Sequence, residues 1–231
     1  MVVSALAAAL LVTWGVSSSA VAQAISLEAE GVMNSVIDAA DPEAAYTALT
    51  PQESALFEAQ AERVVNGVLD AADPRAAHDA LTPQEQALFE LVVTPAYDES
   101  SGGVVAPEVS RIDWSACITH YGAHTRRNSL GWKLWEFETT TAFCYEYGVA
   151  VTSETVSVTE AHGYWGWNYE GIVQWNESPL PDWFFFDKVQ GKFTWCAAAL
   201  CEHNIAWVSK TSTAVGTTYY QSGYKQQWWL S

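Results

Sequence analysis

Glu160 and His162, in the stretch TEAHG, lie two residues apart, and on an extended chain that spacing puts both side chains on one face. A carboxylate that orients an imidazole is a usable general base, so these two are the best catalytic candidates. Glu202 beside His203 offers the same chemistry less well. Glu136 and Glu138 would stand roughly 7 Å apart on one strand, inside the separation that inverting glycosidases use. His120 and His124 are spaced to share a helix face as metal ligands, but the strand-like pattern around Gly122 would put them about 13 Å apart, too far for one ion. None of these pairs is specific, because polar residues at alternate strand positions describe a solvated face equally well. No nucleophile elbow, P-loop, HExxH helix or dinucleotide fingerprint occurs. The leading expectation is a non-enzyme with no metal and no cofactor.

A second chemistry is stacking. Tyr164 to Trp175, YWGWNYEGIVQW, carries three Trp and two Tyr in twelve residues, and residues 107–231 hold 25 aromatics. Rings bury about 150–250 Å² each and Trp is seldom fully hidden, so a domain this small is expected to leave some exposed. Trp165, Trp167, Tyr169 and Trp175, on one parity of an expected strand, are the candidate ligand-binding residues, offering flat faces to sugar rings. The same alternation also describes a sheet face packed into a core. At the C-terminus, adjacent Trp228 and Trp229 must point to opposite sides of a strand, leaving one of them more exposed.

The elements that position these residues come in two periods. From Val32 and again from Val64 the chain repeats itself at 32 residues without a gap, Asp41-Pro42 matching Asp73-Pro74 and Thr50-Pro-Gln-Glu53 matching Thr82-Pro-Gln-Glu85. Asp before Pro is an N-cap followed by a residue that needs no N–H, and Thr-x-x-Glu is a capping box, so each repeat starts two helices. The spacing predicts helices over 27–40, 42–49, 51–71, 74–81 and 83–93. Residues 94–112 mix Pro, Gly, Ser and acids and read as a linker open to a processing protease. After Trp114 the period becomes two, in seven or eight short runs divided by Gly, Asn, Pro and Ser, which argues an antiparallel sandwich or barrel.

The compartment follows from both ends of the chain. Val2 to Val16 is apolar and uncharged, and a small-residue patch ends at Ala20-Val21-Ala22, which fits cleavage of a signal peptide after Ala22. Cys117, Cys144, Cys196 and Cys201 all lie in the second half, and an even count in an exported protein reads as two disulfides. A hairpin at WCAAALCEH favours Cys196 with Cys201, leaving Cys117 with Cys144. The formal charge of −17 repels phosphate backbones and anionic lipid, so nucleic acid and membrane surface are poor partners, and no later run is long and apolar enough for a transmembrane helix. Residues 23–106 carry 15 acids against Arg63 and Arg75.

The stretch WEFETTTAFCYEYG, followed by Gly191-Lys192-Phe193, Cys196, Cys201 and Trp207, resembles the Trp- and Cys-rich β domain of a group of secreted actinobacterial proteins over about 100 residues, and ALTPQEQALF resembles segments seen ahead of such domains. The resemblance implies an exported, disulfide-bonded β domain and supplies no catalytic residues.

The reading is therefore α and β in separate parts: a signal peptide over 1–22, an acidic helical segment with two repeats over 23–94, a linker over 95–112, and an all-β antiparallel sandwich or barrel with two disulfides over 113–231. The leading expectation is a secreted binding module for polysaccharide or cell wall. The alternatives are a secreted antagonist whose helical half is a removable pro-segment, and, ranked last, a hydrolase using Glu160 and His162.

Overall fold

The computed structural model describes residues 18–106, 115–197 and 200–230, with side chains over 27–103, 115–196 and 201–226. Most of the expected signal peptide, residues 107–112 of the expected linker and the Trp228 and Trp229 side chains lie outside these.

The caps place the helices as the repeat predicts. Helices α1 (Ser18–Ile37), α2 (Pro42–Thr47), α3 (Pro51–Leu69), α4 (Pro74–Asp79) and α5 (Pro83–Val93) follow in order, α1 running through the expected cleavage point at Ala22. Asp41 and Asp73 each accept the amide of the third residue on, at 3.0 Å, and Thr82 with Glu85 closes a full capping box. The repeats match in packing as well. Tyr46 meets Phe57 at 5.6 Å in the first, and His78 meets Phe89 at 5.3 Å in the second.

The chain forms two units, Met1–Arg63 and Val64–Ser231, so the boundary falls inside α3, where the second repeat begins. The sequence put that boundary at the linker. The second repeat joins the β part because its last helix is anchored there: the Phe89 ring lies 6.3 Å from Trp195, and the buried Asn128 amide donates to the Val92 carbonyl at 2.8 Å. Two thirds of the expected linker is also strand. Pro95–Ala106 forms β1, whose Asp98 and Glu99 are the cross-strand ion-pair partners of Arg126 and Arg127, both at 2.7 Å. Those two acids, which read as linker charge, pair it to the sheet.

Eight strands build the second unit as two antiparallel meanders. One sheet runs β1, β2 (Ser115–Asn128), β3 (Lys133–Glu146) and β4 (Ala150–Gly163); the other runs β5 (Asn168–Glu177), β6 (Phe184–Ala197), β7 (Leu200–Thr213) and β8 (Thr218–Leu230). The sheets remain separate, so the fold is a sandwich and not a closed barrel. Cys117 pairs with Cys144 across β2 and β3, and Cys196 with Cys201 across β6 and β7, each bond joining directly opposed residues. The period of two is explained by the core: Trp135, Phe137, Val189, Phe193, Ala206 and Val208 form one buried cluster, and Ile118, Phe143, Tyr145, Val151 and Phe185 a second. Each fully buried side chain of this size stabilises by about 1.5–3 kcal/mol. No described helix is long and apolar enough to cross a membrane.

Candidate functional site

The aromatic stretch does not form one platform. Tyr164 to Trp167 is a tight turn, closed by the Trp167 amide on the Tyr164 carbonyl at 3.0 Å, and it carries the chain from β4 to β5. Trp165 sits at φ 54° and Gly166 at φ 85°, the signs a type I′ turn demands. A left-handed tryptophan costs about 1–2 kcal/mol; its ring stacks on Trp132 at 4.9 Å, which offsets that strain. The alternation read across the stretch is thus broken at its centre. Trp167 is only 2% exposed and belongs to the core, and Tyr169 is half-buried beside Phe193, where burial raises its phenol's pKa. Of the four expected ligand residues only Trp175 is open, its indole donating to Glu177.

The acid–base candidates are partly assembled. Glu160 and His162 do meet, at 3.2 Å, but on the open outer face of β4, where Glu138 stands directly opposite Glu160 and Glu136 opposite His162. The pair lines neither the cleft beside His120 nor the one beside Asp41. Glu202 and His203 separate to opposite faces of β7: Glu202 is buried, and His203 Nδ1 shares a hydrogen bond with Thr194 at 2.7 Å. His120 and His124 both point inward, one stacked on Phe143 at 5.4 Å and the other beside Trp135 at 5.7 Å. Among the described residues no cluster of three or more His, Cys, Asp and Glu could hold a metal ion.

Two arrangements that sequence reasoning missed carry more. The first is the outer face of the β5–β8 sheet. The register lines up Asn176, Lys188, Ser209 and Gln221 in one row, then Gln174, Gln190, Trp207 and Gly223, then Gly171, Lys192, Ile205 and Lys225. Trp207 lies flat across Gly223, since a Cβ there would come within 2.9 Å of the indole. Lys188 Nζ stands 4.8 Å from the centre of the Trp207 ring, a cation–π contact. Among the described side chains of these rows the face is rich in amides and bears Trp207 at its middle. A glycine inside a strand pattern marks a close approach, so Gly223 in QSGYKQ was the signal available for it.

The second is a polar interior between the two hydrophobic clusters. Lys210 and Asp187 are both fully buried and 3.8 Å apart. Lys210 donates to the Thr139 hydroxyl at 2.6 Å and its carbonyl at 3.0 Å, while Thr141 donates to Asp187 at 2.8 Å, so the pair ties the two sheets together. Burial pushes Asp187 up to about 6 and Lys210 down to about 8. Near the β1–β8 edge Arg126 pairs with Asp98 and lies 4.5 Å from the Tyr224 ring centre, and burial raises Glu202 nearby and lowers His124.

At that same edge a cleft of about 340 Å³ opens between β1, β2 and the start of β8, lined by Gly102, Gly103, His120, Tyr121, Thr218 and Tyr220 among others. Two of these residues carry a buried atom without a hydrogen-bond partner, His120 Nε2 and Tyr220 Oη. Such atoms cost about 1–3 kcal/mol each. Burial, and then the charge on Lys210, lowers the His120 pKa and keeps the imidazole neutral.

No family model, no curated protein and no solved structure matches the chain. The fold and these surfaces define the class alone: a disulfide-bonded two-sheet sandwich whose β2 and β6 strands anchor the second helical repeat.

Proposed function

We propose that the protein is a secreted, non-enzymatic binding module that holds polysaccharide or cell-wall glycan across the outer face of the β5–β8 sheet. Trp207 is the stacking ring, and Gln174, Gln190, Gln221 and Asn176 supply hydrogen bonds to sugar hydroxyls. One observation carries this reading: Trp207 lies flat on Gly223 in the centre of a polar sheet face. An indole whose only task was to fill the core would point inward, as Trp135 does. The two disulfides fit an oxidising compartment.

The test is pull-down of the full chain with insoluble polysaccharides and isolated cell walls, followed by tryptophan fluorescence. Saturable binding is expected, with Trp207→Ala weakening it at least about tenfold, or about 1.4 kcal/mol, at an unchanged melting temperature. Binding that survives Trp207→Ala, or no binding to any of these polymers, would sink the reading.

A further inference from the structure

We propose that the cleft at the β1–β8 edge is a second ligand site, separate from the outer sheet face, that takes one small uncharged polyhydroxylated molecule, a single pyranose sugar, through His120 Nε2 and Tyr220 Oη. Four observations converge on it. The cleft holds about 340 Å³, at the small end of ligand pockets, which run from roughly 300 Å³ upward. It has room for one ring and not for a chain.

Two of its lining residues each carry a buried polar atom with no partner. His120 is only 5% exposed and its Nε2 makes no hydrogen bond, although the ring itself is fixed by stacking on Phe143; Tyr220 Oη is buried and equally unpaired. Folded chains pair the great majority of such atoms, and a ligand entering the cleft would offer these two the partner they lack. Neither orphan is an accident of loose packing. The Tyr220 ring sits on Gly102 so closely that a Cβ there would come within 2.6 Å of it.

The lining decides the charge of the ligand. No carboxylate, lysine or arginine lines the cleft, and a neutral His120 leaves no full charge for an ion to meet. The remaining groups are the hydroxyls of Tyr121, Thr217 and Thr218 and exposed glycine backbone. Hydroxyl-bearing walls with two tyrosine rings suit a pyranose, which offers hydroxyls at its edge and C–H groups on its face.

The experiment is NMR of the full-length protein, following the His120 imidazole and Tyr220 ring signals while D-glucose, D-galactose and N-acetyl-D-glucosamine are each raised to roughly 100 mM, since so small a ligand is expected to bind with a Kd of about millimolar. Saturable shifts of both signals with at least one sugar are expected. Tyr220→Phe removes only the orphaned hydroxyl, so it should weaken binding at least about tenfold while leaving the melting temperature unchanged or higher. His120→Phe, which keeps a ring against Phe143, should abolish the response as well. Trp207→Ala should leave it intact, which separates this site from the outer face. The proposal falls if no sugar shifts either signal, if the response survives both cleft variants, or if Tyr220→Phe destabilises the protein and leaves sugar binding unchanged.

Discussion

The two sheets share one plan and differ in what they show to solvent. Both are four-stranded meanders, and each is crossed by a disulfide between directly opposed residues. On the β1–β4 sheet the outward rows read Glu99, Thr125, Glu136, His162 and then Ser101, Ala123, Glu138, Glu160. On the β5–β8 sheet they read Asn176, Lys188, Ser209, Gln221 and then Gln174, Gln190, Trp207, Gly223. One face carries carboxylates and hydroxyls, Glu99 and Glu136 being ion-paired to Arg127 and Lys133. The other has lysines, amides and a flat indole, on a chain whose total charge is −17. Backbone topology cannot account for that difference, since it is the same in both. It lives in the side chains, and it confines the proposed adhesion to one side of the sandwich.

The comparison depends on the sheets being held face to face, and the largest expected effect tests that. Lys210 on β7 reaches Thr139 on β3, and Asp187 on β6 accepts from Thr141 on β3. Lys210→Met alone leaves Asp187 as an uncompensated buried charge and should destabilise by about 3–5 kcal/mol in denaturant unfolding, whereas Lys210→Met with Asp187→Val should recover most of that loss. A single variant as stable as the parent would mean that the pair contributes nothing to joining the sheets.

The same pair has a pH signature. Asp187 is raised to about 6 by burial, the nearby Glu177 and Glu154 adding to the rise while Lys210 and Thr141 oppose it. The folded state therefore holds its proton where the unfolded chain has lost it, and this contribution to stability falls as pH rises from about 4 to 6. Lys210 is lowered to about 8 by burial, so its contribution rises as pH climbs from about 8 towards 10.5. Between 6 and 8 the ionised pair is at its least favourable. His120 and His124, both lowered by burial, add an opposite slope on the acid side. The difference in unfolding free energy between the parent and the double variant isolates the pair: it should dip between pH 6 and 8, and a flat difference would remove the assignment.

A smaller effect sharpens which aromatic belongs to the binding face. Trp175 is 40% exposed but lies opposite the inward Val189, so it hangs at the open edge of β5, off the outer face. Trp175→Ala should change polysaccharide binding less than about twofold where Trp207→Ala costs tenfold. The reverse order would move the ligand to the sheet edge.

Much of this was legible before the structure. Asp-Pro and Thr-Pro-x-Glu located four helix starts because capping is local chemistry, and the period of two predicted an antiparallel sandwich or barrel because one face of each strand is buried, the choice between them resting on whether the sheets close. The disulfides followed from the even cysteine count, the expected export and the hairpin at WCAAALCEH. Three things were not legible. The Asp98 and Glu99 strand looked like linker, since its partners Arg126 and Arg127 lie 28 residues on. The aromatic stretch looked continuous because nothing in YWGWNY announces that Trp165 adopts a positive φ, which glycine would ordinarily supply. The cleft depends on register, which brings Gly102, His120 and Tyr220 together from three strands.

The smallest prediction concerns the acidic face. Glu138 and Glu160 oppose each other directly on β3 and β4, and like charges so placed destabilise by up to about 1 kcal/mol. Thr159 relieves part of this by donating to Glu138 at 2.7 Å, a bond that a glutamine carbonyl can also accept. Glu138→Gln should therefore raise the unfolding free energy by a few tenths of a kcal/mol, about the scale of one cross-strand pair, and leave glycan binding untouched. Glu160→Gln is the companion variant, since Glu160 is the carboxylate that could orient His162 as a base. If the protein hydrolyses any polysaccharide on the panel and Glu160→Gln abolishes that activity, the carboxylate face is the working one and the assignment of the two sheets inverts. If both variants bind as the parent does and no hydrolysis is seen, the carboxylates serve solvation, and recognition stays on the face that carries Trp207.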